Sequence, residues 1–207
     1  LYNIVDRIYI GHIQGYGDMA LTGVGVTFPI IMLIAAFSAF AGMGGAPLAS
    51  IQLGKHDYDR AELILGNSAG LLVIFSVVLT IAFSIFKTPV LYAFGASETT
   101  IQYAESYIGI YLLGTIFVQF AVGLNTFISG QGEARIAMLS VLIGAIINIC
   151  LDPVFIFVFG MGVKGAALAT IISQAVSAAW VIKFLTSKKS VIRLKAKNMR
   201  LKGDVVK

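Results

Sequence analysis

From Met19 to Gly54 the sequence contains no acidic, basic or histidine side chain, and this stretch limits the possible folds more than any other feature. It is longer than the roughly 20 apolar residues a helix needs to cross a bilayer. Four further apolar stretches follow, at about Ala61–Phe86, Ile101–Ile128, Ala134–Phe159 and Gly165–Leu185. With 58% hydrophobic and 12% charged residues, the chain has too little polar surface to cover a water-soluble globule. Its solvent must be lipid. The first segment, Leu1 to Ile13, is too short to span and reads as the end of a truncated helix. The sequence therefore predicts an all-α polytopic membrane protein: a six-helix transmembrane bundle over residues 1–186, followed by a basic segment over 187–207. The longest stretch would cross twice only if it broke at Pro29 or between Gly42 and Pro47, but no charged residue lies between Asp18 and Lys55, so one long, kinked helix is expected.

Charge alternates from loop to loop. The loops after the second and fourth helices, the tail after the sixth and the adjoining helix ends hold twelve of the fifteen Lys and Arg residues, whereas the opposite loops hold only Lys87 and Lys164. This bias predicts a multi-pass protein of the cell (inner or plasma) membrane with its tail and basic loops cytoplasmic. The net charge of +5 suits anionic headgroups and needs no nucleic acid partner. One cysteine, Cys150, excludes an internal disulfide, and no spaced Cys/His set suggests zinc.

Two motifs imitate familiar chemistry. "GMGVKG" at 160–165 resembles a dinucleotide-binding fingerprint but has no acid about 20 residues further on, so it reads as a tight turn between spans and no cofactor is expected. "GNSAG" at 66–70 matches a nucleophile elbow. Of the two histidines, His12 lies in an opposite loop and His56 about three turns before Ser68, so a helix-packing surface of small residues is the better reading and no enzymatic activity is expected.

Acids inside lipid cost several kcal/mol and normally face partners or water. Glu62 and Glu105 lie near helix ends; Asp6 and Asp152 do not. At about 1.5 Å of rise per residue, both lie about 9 Å below the same membrane face, with Thr170 about 10 Å down and Asn148 one turn deeper than Asp152. Asn148 and Asp152, four residues apart, share one helix face. Pro153 is expected to disturb the helix at Asp152 and free the carbonyl of Ile149. Two carboxylates, an amide, a hydroxyl and a carbonyl suit a small hard cation or a proton. A structural polar cluster, or Asp6 paired with Arg7, is the alternative, although adjacent helical residues point about 100° apart. Asn3, Tyr111, Thr115, Gln119 and Gln174 are candidates for lining a substrate cavity, but such polar stripes also bond between packed helices.

At "LYNIVDRIYIGH", "GMGGAPLASIQLGKHDYDRAELILGNS" and "GQGEARIAMLSVLIGAIINICLDPVFIFVFGMGVKGAALATIISQ" the sequence resembles the multidrug and toxic compound extrusion (MATE) family of antiporters. The resemblance implies a twelve-helix fold of two six-helix bundles, of which this chain looks like the first bundle plus the inter-bundle linker. It implies secondary export of small organic cations in exchange for sodium ions or protons, with the C-terminal bundle and membrane lipid as partners. By motif position it implies coupling-ion binding at Asp6 ("NIVDRIYIG"), Asn148 and Asp152 ("NICLDP") and Thr170 ("GAALAT"), the ion being Na+ if the exchange is sodium-coupled. A lipid-linked saccharide flippase of the same superfamily is the alternative, and would call for a strongly basic cavity.

Overall fold

The computed structural model describes residues 2–200, with side chains from Ile4 onward. Helix α1 (Tyr2–Gly11) is followed by α2 (Gly17–Val26) and α3 (Phe28–Gly54), which together form one span, then by α4 (Tyr58–Ala93). Next come α5 (Ile101–Leu113), α6 (Thr115–Gly123) and α7 (Asn125–Gly130), which make a bent span. Helix α8 (Ala134–Pro153) continues into a π-helical turn (Val154–Val158), and α9 (Val163–Thr186) precedes a 3-10 turn (Ala196–Met199). The described residues contain no strand. Four helical stretches are long and apolar enough to cross a membrane, and the bent α5–α7 makes a fifth. With the shorter α1, the chain is an all-α polytopic bundle.

Three breaks shape this bundle, and proline or glycine stands at each. The α2/α3 break falls at Thr27, whose hydroxyl bonds the Val24 carbonyl at 2.7 Å. Pro29 then occupies the first turn of α3, where its missing N–H costs nothing, and α3 continues through Pro47. The second break was not foreseen: the span expected over Ile101–Ile128 bends by 61° at Gly114. A Cβ there would come within 2.6 Å of the Ile171 Cβ, so only glycine lets α9 pack this closely. The Leu112 carbonyl at the bend accepts from Thr115 Oγ1 at 2.8 Å and Thr80 Oγ1 at 3.1 Å, so this acceptor is not stranded in lipid.

The third break corrects the expectation for Pro153. Asp152 remains helical, and the disturbance falls after the proline as the widened π-helical turn. That turn ends with Phe159 N–H on the Val154 carbonyl, followed by Met161 N–H on Phe155 and Gly162 N–H on Ile156. The chain reverses through Gly160 (φ 63°) and Gly162 (φ 54°), which is the tight-turn use of "GMGVKG".

Lipid tails are as apolar as the helices, so close contact between small residues does much of the packing. A Cβ on Gly42 would sit 2.7 Å from the Gly123 carbonyl, and one on Gly45 would sit 2.7 Å from the Phe127 ring, which holds α3 against α6 and α7. Gly66, Ser68 and Gly70 of "GNSAG" are buried in packing of the same kind. The core has two layers. One includes Ile10, Ile34, Tyr107 and Ile156 near the α1 and α9 turns, and the other includes Leu65, Leu124, Phe127 and Leu185 near the basic loops.

The segment after Thr186 does not extend freely from the bundle. Leu194 N–H bonds the Leu185 carbonyl, and Ile192 is buried. Gln131 Oε1 accepts from Ser190 Oγ (2.9 Å), Val191 N (2.9 Å) and Ile192 N (3.2 Å). Glu62, expected to reach water, is instead buried beneath this strap, where it accepts from Arg193 N at 3.1 Å and pairs with Lys195. Asn67 Nδ2 donates to the Asn198 carbonyl at 3.2 Å, and the absent side chain of Gly66 leaves room for Asn198. The three basic-loop regions thus lie together at one end of the bundle.

Candidate functional site

Four elements deliver polar side chains to one buried point. Asp6 comes from α1, Tyr107 from α5, Asn148 and Asp152 from α8, and Thr170 from α9; all are buried. Asp6 and Asp152 are both 0% exposed. Asn148 Nδ2 lies 3.2 Å from Asp6 Oδ1, 3.2 Å from Asp152 Oδ1 and 3.4 Å from Thr170 Oγ1. On its other oxygen, Oδ2, Asp6 accepts from Tyr107 at 2.7 Å and from Thr170 Oγ1 at 2.8 Å. The similar depths expected for these groups are realised because α1 ends at Gly11, the α8 extension at Val158 and α9 begins at Val163.

The donors do not match the acceptors. Asn148 Oδ1 and Asp152 Oδ2 are buried and have no hydrogen-bond donor among the described residues. A buried acceptor without a donor carries its full desolvation cost, about 1–3 kcal/mol and more when charged. The unmatched amide oxygen and the unmatched carboxylate oxygen, with the Asp6 carboxylate beside them, form a hard-oxygen set that a small cation or a proton would satisfy. Arg7 does not supply the charge: its guanidinium lies 5.1 Å from the centre of the Phe28 ring.

Tyr107 was not among the residues expected from sequence. It stands one turn before Tyr111, and the two rings stack at 6.1 Å. Extending the Tyr111, Thr115, Gln119 stripe back one turn reaches it, and that is the sequence signal that could have found it.

The proposed cavity residues fare differently. Gln119 is fully buried; its Oε1 accepts from Ser38 at 2.9 Å and its Nε2 donates to the Ile34 carbonyl at 3.2 Å, so both ends clasp α3. Thr115 is fully buried and bonds the Leu112 carbonyl. Neither lines an open cavity in this conformation, because interhelical and local bonds use their polar atoms. Tyr111 is 4% and Gln174 8% exposed. Asn3 lies outside the residues whose side chains are described.

The described residues thus form a lipid-spanning helical bundle with a buried carboxylate pair. Residues 1–154 match the MatE family, and the chain belongs to that family. It is 28% identical over 200 residues to the multidrug export protein MepA of Staphylococcus haemolyticus, covering 97% of this chain and 44% of that protein. To MepA of Staphylococcus aureus it is 27% identical over 203 residues, covering 95% and 43%. A crystal structure of MATE in the bent conformation superposes with a TM-score of 0.92 at 29% identity, over 100% of this chain and 46% of that one. A MOP superfamily transporter from Pyrococcus furiosus superposes with a TM-score of 0.89 at 28% identity, over 99% and 45%. The chain therefore spans less than half the length of these relatives.

Proposed function

We propose that this chain is the ion-coupling half of a secondary multidrug antiporter, exporting small organic cations in exchange for sodium ions or protons. Asp6, Asn148, Asp152 and Thr170 hold the coupling ion in this reading, with Tyr107 orienting Asp6. The single observation that carries it is the pair of donorless oxygens, Asn148 Oδ1 and Asp152 Oδ2, in a cluster that also holds the buried Asp6 carboxylate. Kinship to multidrug export proteins supports the substrate class. The relatives' roughly doubled length supports a second six-helix bundle, with residues 1–186 as the N-terminal bundle and 187–207 as the linker. The clustering of basic loops at one end supports a cytoplasmic assignment for that end.

In the mechanism, the two acids sit in a dry site where their charges must be matched. A cation or proton entering from outside supplies the positive partner that Asn148 Oδ1 and Asp152 Oδ2 lack and strengthens the contact of α1, α8 and α9 around it. This changes how the bundle faces the drug path, since alternating access moves one structural unit against another around a fixed site. The saccharide-flippase alternative is less well supported, because Arg7 is engaged with Phe28 and the side chains bonded to the acids among the described residues, Tyr107, Asn148 and Thr170, are not basic. The test is ethidium efflux from vesicles containing the transporter under an imposed sodium gradient, then a proton gradient. Efflux that follows one gradient supports antiport; efflux indifferent to both overturns it.

A further inference from the structure

At the basic end of the bundle, away from the buried acids, α8 and α9 enclose a pocket of about 290 Å³ lined by Ile136, Trp180, Lys183, Phe184, Ser187 and Lys189. Its walls divide by chemistry. Ile136, Phe184 and the Trp180 ring are apolar, while Lys183 and Lys189 are exposed ammonium groups with no ion pair among the described residues. Ser187 commits its hydroxyl to the Phe184 carbonyl at 2.8 Å and accepts from Lys189 N–H at 3.2 Å, which fixes the backbone that carries the second lysine. The indole N–H of Trp180 has no acceptor among the described residues. An aromatic ring with a polar edge, beside two lysines at the end of a membrane span, is the composition that favours the headgroup layer.

We propose that this pocket binds the headgroup of an anionic phospholipid: the phosphodiester lies between Lys183 and Lys189, and the upper acyl chain lies along Ile136, Trp180 and Phe184. The charge pattern selects a lipid over a soluble anion, because the apolar wall continues from the two lysines toward the hydrocarbon. The inference does not depend on the transport reading, since none of these residues contacts the buried acids. A lysine near an anionic surface is worth about a fivefold change in binding, so the pair should set a preference of at least about fivefold over zwitterionic lipid.

The sequence supplies its own probe, because the 207-residue chain contains one tryptophan. Reconstituted into phosphatidylcholine vesicles, the chain is titrated with acyl-brominated phosphatidylglycerol or acyl-brominated phosphatidylcholine while Trp180 fluorescence is followed. Half-quenching is expected at an about fivefold lower mole fraction of the anionic lipid; equal quenching overturns the proposal. The double substitution Lys183→Gln with Lys189→Gln should erase the preference, and its persistence places the lipid elsewhere. The charge-retaining pair Lys183→Arg with Lys189→Arg should keep it, which separates loss of charge from loss of fold; loss in this pair too overturns the charge argument. Arg135→Gln with Lys188→Gln removes two basic residues of the same rim that do not line the pocket, and should leave the preference intact. An equal loss there would mean diffuse attraction and refute a defined pocket. Inorganic phosphate at millimolar concentration should not compete; if it does, the site takes a free anion and the lipid assignment fails.

Discussion

Replacing Asp152 by asparagine changes one charge and almost no volume, and its effect on cation dependence can be worked from the hydrogen bonds. Asp6 Oδ1 and Asp152 Oδ1 each lie 3.2 Å from the same nitrogen, Asn148 Nδ2, so they are no more than 6.4 Å apart, twice that distance. A cation at the site, no farther from Asp152 than Asp6 is, gains at least about 2.6 kcal/mol from that carboxylate at an effective dielectric constant of about 20. Losing it raises the half-activating concentration of the driving cation by roughly 70-fold or more, since about 1.4 kcal/mol corresponds to a factor of ten. The assay is gradient-driven ethidium efflux by the transporter carrying Asp152→Asn, measured against external sodium or proton concentration. Expression and monodispersity are matched to the unsubstituted protein. A curve shifted by less than about threefold would refute the reasoning, because it would mean that Asp152 contributes little of the charge that the cation meets.

Three other outcomes follow from particular contacts. Tyr107→Phe deletes a donor to Asp6 Oδ2 and should cost about 1.5–3 kcal/mol in detergent unfolding, but clearly less when Asp6→Asn is already present; equal losses in both backgrounds would contradict the bond's importance. In Gly66→Val a new Cβ would sit 2.6 Å from the Asn198 carbonyl oxygen, so the strap should lift and trypsin should cut at Lys195 and Lys197 about tenfold faster with helical content unchanged. Unaltered cleavage would show that the strap is not held there. In a Cys150→Ala background, a cysteine at Gly95 should react with an impermeant thiol reagent from outside and one at His56 should not; the reverse pattern inverts the assigned sidedness.

Much of the buried site was legible because the scarcity of acids in lipid and the helical rise suffice to find it. Acids are rare enough in lipid to single out Asp6 and Asp152, and helical rise places Asn148 and Thr170 near their depth. Tyr107 was not legible in the same way: an aromatic in a span is unremarkable until a partner helix presents a carboxylate to its hydroxyl. Polar stripes were ambiguous for a related reason. Gln119 has the spacing of a cavity residue, but whether its amide meets water or Ser38 depends on how closely α3 approaches, and that approach is set by Gly42 against Gly123. The bend at Gly114 depends likewise on Ile171, 57 positions away along the chain. The strap was hidden by its composition. A run of lysines and arginines reads as solvated, and only the buried Glu62, the triple acceptor Gln131 and the space beside Gly66 reveal that it packs.

The central claim is that export and cation entry are one coupled process running through the two buried acids. The most direct measurement drives the exchange backward from the drug side: vesicles containing the transporter are given an ethidium gradient and no cation gradient, and the movement of sodium ions and protons is recorded. One of these cations should move opposite to ethidium, building a gradient of its own, and Asp152→Asn should sharply slow this movement at the same cation concentration. Ethidium transport with neither cation moving, or cation movement unchanged in Asp152→Asn, would contradict the claim.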